Sequence, residues 1–199
     1  MTLADGYHDV PRGKVATVVT FLEMRRKPDI LDIAPTDGWR LKRHDAPDRD
    51  WYLRLFRAVG NDWLWFGRTI LAADALDEIL QNPKVHVFSL HKDGKEGGLL
   101  ELDFRQPGQC ELAYFGLIPK LIGTGAGRYL MTCALDAAWR QPITRFHLHT
   151  CTMDSPQALS FYRRTGFVPY DQKVEIYDDP RVHMGYDRAL APHLPIYDP

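Results

Sequence analysis

The sequence predicts an α/β (α+β) fold, a mixed and mostly antiparallel central sheet flanked by helices. Three observations predict it. Segments with apolar residues at alternate positions recur along the chain. Between them lie segments with apolar residues three and four apart, the spacing of one helix face. From 85 to 118, three strand-like segments follow one another with only short turns between them, which antiparallel neighbours allow and parallel ones do not.

Taken in order, "KVATVVTFLEM" at 14 to 24 is rich in β-branched residues and reads as a strand. A polar passage follows, with "RRK" at 25 to 27 as a solvated charge run and Pro and Asp up to Asp50. At 48 to 60, Trp51, Leu55 and Val59 share a helix face and Gly60 follows them. At 71 to 83, Leu71, Ala75, Leu76 and Ile79 repeat the pattern until "NP" stops it. Strands are expected at 85 to 90, 98 to 106 and 110 to 118. A helix at 125 to 140 carries Leu130, Ala134, Leu135 and Ala138 on one face. A strand at 145 to 151 leads to a helix at 155 to 167, with Ser155 as N-cap, Pro156 at the first position and Gly166 as the stop. A last strand is expected near 173 to 179.

The 199 residues, 45% of them hydrophobic, suit one domain with an adequate core. A formal charge of -1 lacks the positive balance of a sequence-independent nucleic-acid binder, so no nucleic-acid partner is expected. Cys110, Cys133 and Cys151 show neither a C-x-x-C pair nor zinc-like spacing, and reduced thiols in a cytoplasmic setting are expected. No window has 18 uninterrupted apolar residues and the first residues lack a basic region before an apolar run, so no membrane partner is expected.

The stretch "PKLIGTGAGRYLM" at 119 to 131 places Gly123, Gly125 and Gly127 between a strand and a helix. Unpartnered N–H groups and the positive end of the helix dipole then face one small concavity, which suits a phosphate. Glycine lets a diphosphate approach the backbone and permits positive φ. Equally, three glycines permit a tight turn and close helix packing. A dinucleotide fingerprint is excluded, because the loop follows an antiparallel meander and has the wrong spacing. A Walker A loop is excluded because no Lys followed by Ser or Thr closes it.

"ELAYFGLIPKLIGTGAGRYLM", followed by "HTCTMDSPQALSFYRRTGF", resembles the acyl-CoA-binding core of the GNAT superfamily of N-acetyltransferases. The glycine loop is similar to the family's Arg/Gln-x-x-Gly-x-Gly/Ala pattern at Ile122, Gly125 and Gly127, and the second stretch to its N-x-x-A-x-x-x-Y-x-x-x-G-F ending. Detailed likeness covers about residues 84 to 170. The resemblance implies a GNAT-like fold in a single domain over 1 to 199, with acceptor-side elements at 1 to 83, the acyl-CoA core at 84 to 170 and a C-terminal strand and tail at 171 to 199.

It also implies acetyl-CoA as acyl donor, with the pantetheine arm lying like an extra strand where two central strands splay. Leu117 and the neighbouring Ile118 would serve the pantetheine arm through the main chain, and Ile122, Gly123, Thr124, Gly125, Ala126, Gly127 and Arg128 would surround the diphosphate. Ile122 stands where the family has Arg or Gln, and Ser155 where it often has Asn, which shortens or removes the pantetheine contact there. Glu111, six residues before Leu117, occupies the position of the family's base, the alternative being a strand carboxylate facing solvent or pairing with a basic neighbour. Tyr162 matches the tyrosine that protonates the leaving thiolate, the alternative being a core aromatic beside Phe161 and Phe167. Trp63, Trp65, Phe66 and Tyr114 are the candidate acceptor wall, although at least one tryptophan is expected to pack helix onto sheet.

His147 and His149 share a strand face with Cys151. No third ligand accompanies the histidines and no oxyanion-hole signature accompanies the cysteine, so neither a metal nor a cysteine nucleophile is expected. The expected activity is amine acetylation by direct attack in a ternary complex, with a small-molecule or peptide amine as partner. A catalytically silent acyl-CoA-binding module and an O-acyltransferase are the alternatives, and a homodimer is left open.

Overall fold

The computed structural model describes residues 3–29 and 38–199. Its strands are β1 (Lys14–Met24), β2 (Trp39–His44), β3 (Val85–Lys92), β4 (Lys95–Asp103), β5 (Gln109–Leu117), β6 (Arg145–Cys151) and β7 (Val168–Asp178). Its helices are α1 (Arg49–Gly60), α2 (Ala73–Leu80), α3 (Ala126–Trp139), α4 (Ala158–Arg164) and α5 (Pro180–His183). The strands form one sheet in the order β2-β3-β4-β5-β6-β1-β7. Only β5 and β6 run parallel; every other neighbouring pair is antiparallel. The expected mixed, mostly antiparallel sheet is therefore present.

Side chains divide the sheet into two cores, because successive strand residues point to opposite faces. Leu100 and Phe88 pack with Leu130, Ala134 and Leu135 of α3. Their neighbours Leu99 and Val87 pack on the other face with Leu55, Phe56 and Val59 of α1 and Leu76 and Leu80 of α2. The α1 helix starts where Asp48 Oδ1 accepts a hydrogen bond from the Trp51 N–H at 2.8 Å, a cap worth about 1 kcal/mol.

Several boundaries differ from the sequence reading. The polar passage before Asp50 contains β2, which adds a fourth antiparallel strand beside β3 although α1 and α2 come between them in the chain; residues 30–37 of that passage lie outside the described ones. Among the described residues β2 is an edge strand that pairs with β3 alone and buries little more than Trp39, so its Arg and Lys residues hid the alternation. The helix expected at 155 to 167 spans only Ala158–Arg164. Ser155 caps the turn before it: its Oγ accepts from the Gln157 N–H at 3.4 Å and its carbonyl from the Ala158 N–H at 2.8 Å, while Gln157 holds the helix cap position with no side-chain bond. At its other end the expected glycine stop is present. Gly166 has φ +104°, and the N–H groups of Gly166 and Phe167 donate to the carbonyls of Arg163 and Tyr162, a Schellman closure. The α2 helix is likewise shorter than 71 to 83, and β7 is longer than 173 to 179.

After β7, the α5 segment and the chain beyond it fold back. Arg181, buried beside Asp179, donates from Nη1 to the carbonyls of Leu190, Ala191 and Leu194 at 3.0 to 3.2 Å. Among the described residues no helix is long and apolar enough to cross a membrane.

Candidate active site

The β5 and β6 strands pair only from Gln109/Arg145 to Glu111/His147. Just beyond, β5 carries a bulge: Leu102 faces Leu112 and Glu101 faces Tyr114, so Ala113 is the extra residue. A bulge bends its strand, and past it β5 follows β4 while the end of β6 follows β1. A gap opens between them. The Ile118 N–H donates to the Gly97 carbonyl at 2.9 Å. Because antiparallel bonding alternates, Gly116 and Tyr114 also turn their main-chain groups to β4, and those of Phe115 and Leu117 face the gap.

The gap leads to the start of α3. Gly125 stands at the N-cap position with φ +91° and Gly123 has φ +81°, backbone states that side chains with a Cβ disfavour. No side chain among the described residues caps this helix. Among the described residues the N–H groups of Gly123, Gly125, Ala126 and Gly127 find no backbone acceptor. A cluster of unpartnered donors at a helix start binds an anion without further help. The Arg128 guanidinium stands over the loop: its Nη2 lies 3.9 Å from where a Cβ on Gly125 would be.

Gap and loop form one cleft of about 500 Å³. Trp63, Trp65, Phe66 and Tyr114 line it, as do Leu117, Ile122, Gly123, Gly125, Gly127, Arg128, Ser155 and Tyr162. Trp65 also packs, its ring 5.5 Å from Phe56 and 5.2 Å from Tyr114. It fits because Gly116 lacks a side chain: a Cβ there would lie 2.5 Å from Val59 Cγ1 and 3.0 Å from the Trp65 ring. The Trp65 indole N–H reaches Asp154 Oδ1 at 3.2 Å, while Asp154 Oδ2 accepts from Thr150 Oγ1 and the Cys151 N–H. From the C-terminal stretch, Tyr186 Oη donates to the Trp65 carbonyl at 3.1 Å and bonds Thr69 Oγ1 at 2.7 Å, bracing the aromatic loop. Below it lies a buried polar group: Glu101, fully buried, is bonded by Tyr52 Oη and paired with Arg68.

Tyr162, half-buried, has no hydrogen bond from its hydroxyl among the described residues. Burial raises its phenol far above the usual value, and the Asp154 carboxylate adds to the shift. Its hydroxyl therefore stays protonated at neutral pH. Glu111 stands at the last parallel pair, outside the cleft lining, and burial raises its carboxyl. His149 does line the cleft, and its Nδ1 lies 3.8 Å from Glu111 Oε1. His147 is held down to about 4 by burial, and so is neutral. Cys151 lines the cleft too, but burial pushes its thiol up to about 11, which leaves no thiolate for nucleophilic work.

Residues 48–167, more than half of the chain, match the model of the acetyltransferase (GNAT) family. The chain belongs to the GNAT acetyltransferase family. Solved GNAT structures share its fold. An aminoglycoside acetyltransferase from an uncultured soil metagenomic sample, solved with trehalose, aligns with a TM-score of 0.57 at 18% identity over 71% of this chain and 95% of that one. A GCN5-related N-acetyltransferase from Kribbella flavida gives 0.57 at 17% identity over 87% and 62%. A GNAT family acetyltransferase from Elizabethkingia anophelis with acetyl-CoA bound gives 0.52 at 17% identity over 68% and 80%. A comparison with curated proteins finds no match.

Most of the residues that the GNAT resemblance singled out meet in one cleft, but four do not line it. Besides Glu111, Ile118 packs beside α1 and α2, Thr124 turns its hydroxyl to the Leu121 carbonyl at 2.8 Å, and Ala126 is fully buried. Conversely, Asp154, Gln157, Phe161, Arg164, Glu175 and Tyr177 line the cleft without having stood out in the sequence. Asp154 and Gln157 lie inside the quoted C-terminal motif stretch, where their neighbourhood could have flagged them. Nothing local marks Glu175 and Tyr177, which β7 brings in from beyond the motif.

Proposed function

We propose that this GNAT protein acetylates a primary amine with acetyl-CoA, in a ternary complex and without a covalent enzyme intermediate. The observation that carries the proposal is the open β5/β6 gap running onto the unpartnered N–H groups at the start of α3. Acetyl-CoA supplies an acyl group activated as a thioester. The main-chain groups of Phe115 and Leu117 bond the pantetheine arm as a neighbouring strand would, and the loop from Gly123 to Arg128 holds the diphosphate. The Leu117 N–H stabilises the developing oxyanion. An amine of pKa near 10 must lose a proton to attack, and His149, backed by the Glu111 carboxylate, takes it from the cleft side. Tyr162 returns a proton to the departing thiolate, whose basicity rises in the same apolar wall.

For the acceptor, the lining favours a cation. Trp63, Trp65, Phe66 and Tyr114 offer aromatic faces, and Asp154 and Glu175 add carboxylates. Polycationic amines such as polyamines and aminoglycosides fit this surface, and an aminoglycoside acetyltransferase is among the structures with this fold.

The test is release of free CoA from acetyl-CoA in the presence of amino acids, polyamines, aminoglycosides, peptides with free N-termini and matched alcohols. Amine-dependent release, strongest for polycations, is expected. CoA binding without turnover on any acceptor would make the protein a silent acyl-CoA-binding module, and turnover on alcohols alone would make it an O-acyltransferase.

A further inference from the structure

Away from the cleft, on the sheet face covered by α1, three metal-ligating side chains converge. His44 comes from β2, His91 from β3 and Glu96 from β4, and their ligand atoms all lie within 4.8 Å of one another. Both imidazoles aim Nε2 at the same point: His44 Nε2 and His91 Nε2 lie 2.7 and 2.8 Å from Ser89 Oγ. Glu96 faces His91 directly across the β3/β4 ladder, its Oε1 3.9 Å from His91 Nε2. Trp51 supports the group from α1. Its indole N–H donates to Glu96 Oε1 at 2.9 Å, and its ring lies over His44, tilted by 32° with centroids 4.0 Å apart.

We propose that His44, His91 and Glu96 bind a divalent transition cation of the zinc type, which fastens the edge strand β2 and the first turn of α1 to the sheet. Two histidines and one carboxylate are a recurrent donor set for such a cation, with nitrogen and oxygen ligands at about 2.0–2.2 Å and a water completing the shell. Two imidazole nitrogens on one such ion lie roughly 3.3 Å apart. Side-chain rotation alone covers the distance from the observed spacing, because all three donors rise from paired strands. Ser89 then turns its hydroxyl aside as a partner to a ligand, and Trp51 orients the carboxylate in the way that outer partners orient metal ligands. The site ties β2, which among the described residues pairs with β3 alone, across β3 to β4. Binding to the folded state alone raises stability by mass action.

The experiment uses untagged protein stripped with a chelator. Co²⁺ serves as the spectroscopic probe, Zn²⁺ as its competitor, and Tm is read with and without each metal. The expected result is one equivalent of Co²⁺ with a visible d–d spectrum, displaced by Zn²⁺, and a higher Tm with either metal. His44→Ala, His91→Ala and Glu96→Gln should each weaken binding by at least the roughly 10- to 100-fold that loss of an outer partner costs. His147→Ala should leave it unchanged. Glu96→Gln keeps the shape of the site and guards against variants that fail to fold. Absence of a spectrum and of a Tm shift would overturn the proposal. So would binding as tight as wild type in any of the three ligand variants, or binding that is lost in His147→Ala.

Discussion

Glu111 Oε1 lies 3.8 Å from His149 Nδ1, where the parallel pairing of β5 and β6 ends and the cleft begins. The carboxylate, about a third exposed, stands outside the cleft lining and the imidazole within it, and the proposed base rests on this arrangement.

Glu111→Gln should therefore lower kcat/KM most at neutral pH, where the amine is still protonated. Glu111 backs His149 only as a carboxylate, and burial raises its carboxyl, so the limb that Glu111 contributes should lie above the ordinary value of about 4.3. As pH approaches the amine's own pKa the deficit should shrink. Parallel pH profiles of wild type and variant would give the proton to another group.

His149→Ala should lose about as much as Glu111→Gln, and the double variant little more than either, because two members of one relay are not additive. Steady-state kinetics of the four proteins measure this. Additive losses would separate the two residues.

Tyr162→Phe should lower kcat by about 10²-fold or more with little change in the KM for acetyl-CoA, the size expected for one general acid. The half-buried ring keeps its packing against Phe115 and Phe167 in the variant. Equal kcat would return Tyr162 to a packing role.

Gly125→Val should weaken CoA binding in calorimetry while circular dichroism stays native-like. At φ +91° a β-branched residue forces the loop to a new path, and the N–H groups of Gly123 to Gly127 no longer converge. Unchanged affinity would move the diphosphate elsewhere.

Arg68→Met should destabilise the fold by about 3–5 kcal/mol in urea unfolding, since it strips the fully buried Glu101 of its charged partner. Adding Glu101→Leu should recover most of that loss. A loss below about 1 kcal/mol, the size of an exposed pair, would show that the charge is not desolvated.

What the sequence determined alone is what neighbouring residues decide among themselves. The glycine loop and the start of α3 were legible because positive φ at Gly123 and Gly125 and the unpaired N–H groups follow from a few consecutive residues. The meander was legible from short turns and alternation, and the stop at Gly166 from its place after "YRRT". Where neighbours left a choice, contacts distant in sequence made it. The strand β2 exists because β3 offers an edge, not because its own charged residues demand one. The bulge at Ala113 and the splay that follows arise from β5 serving β4 while β6 serves β1. That splay also decides that His149 enters the cleft and Glu111 stays behind it, and it draws Glu175 and Tyr177 in from β7. A residue's own backbone preferences reach only a few positions along the chain, whereas a cleft is made where separate strands part.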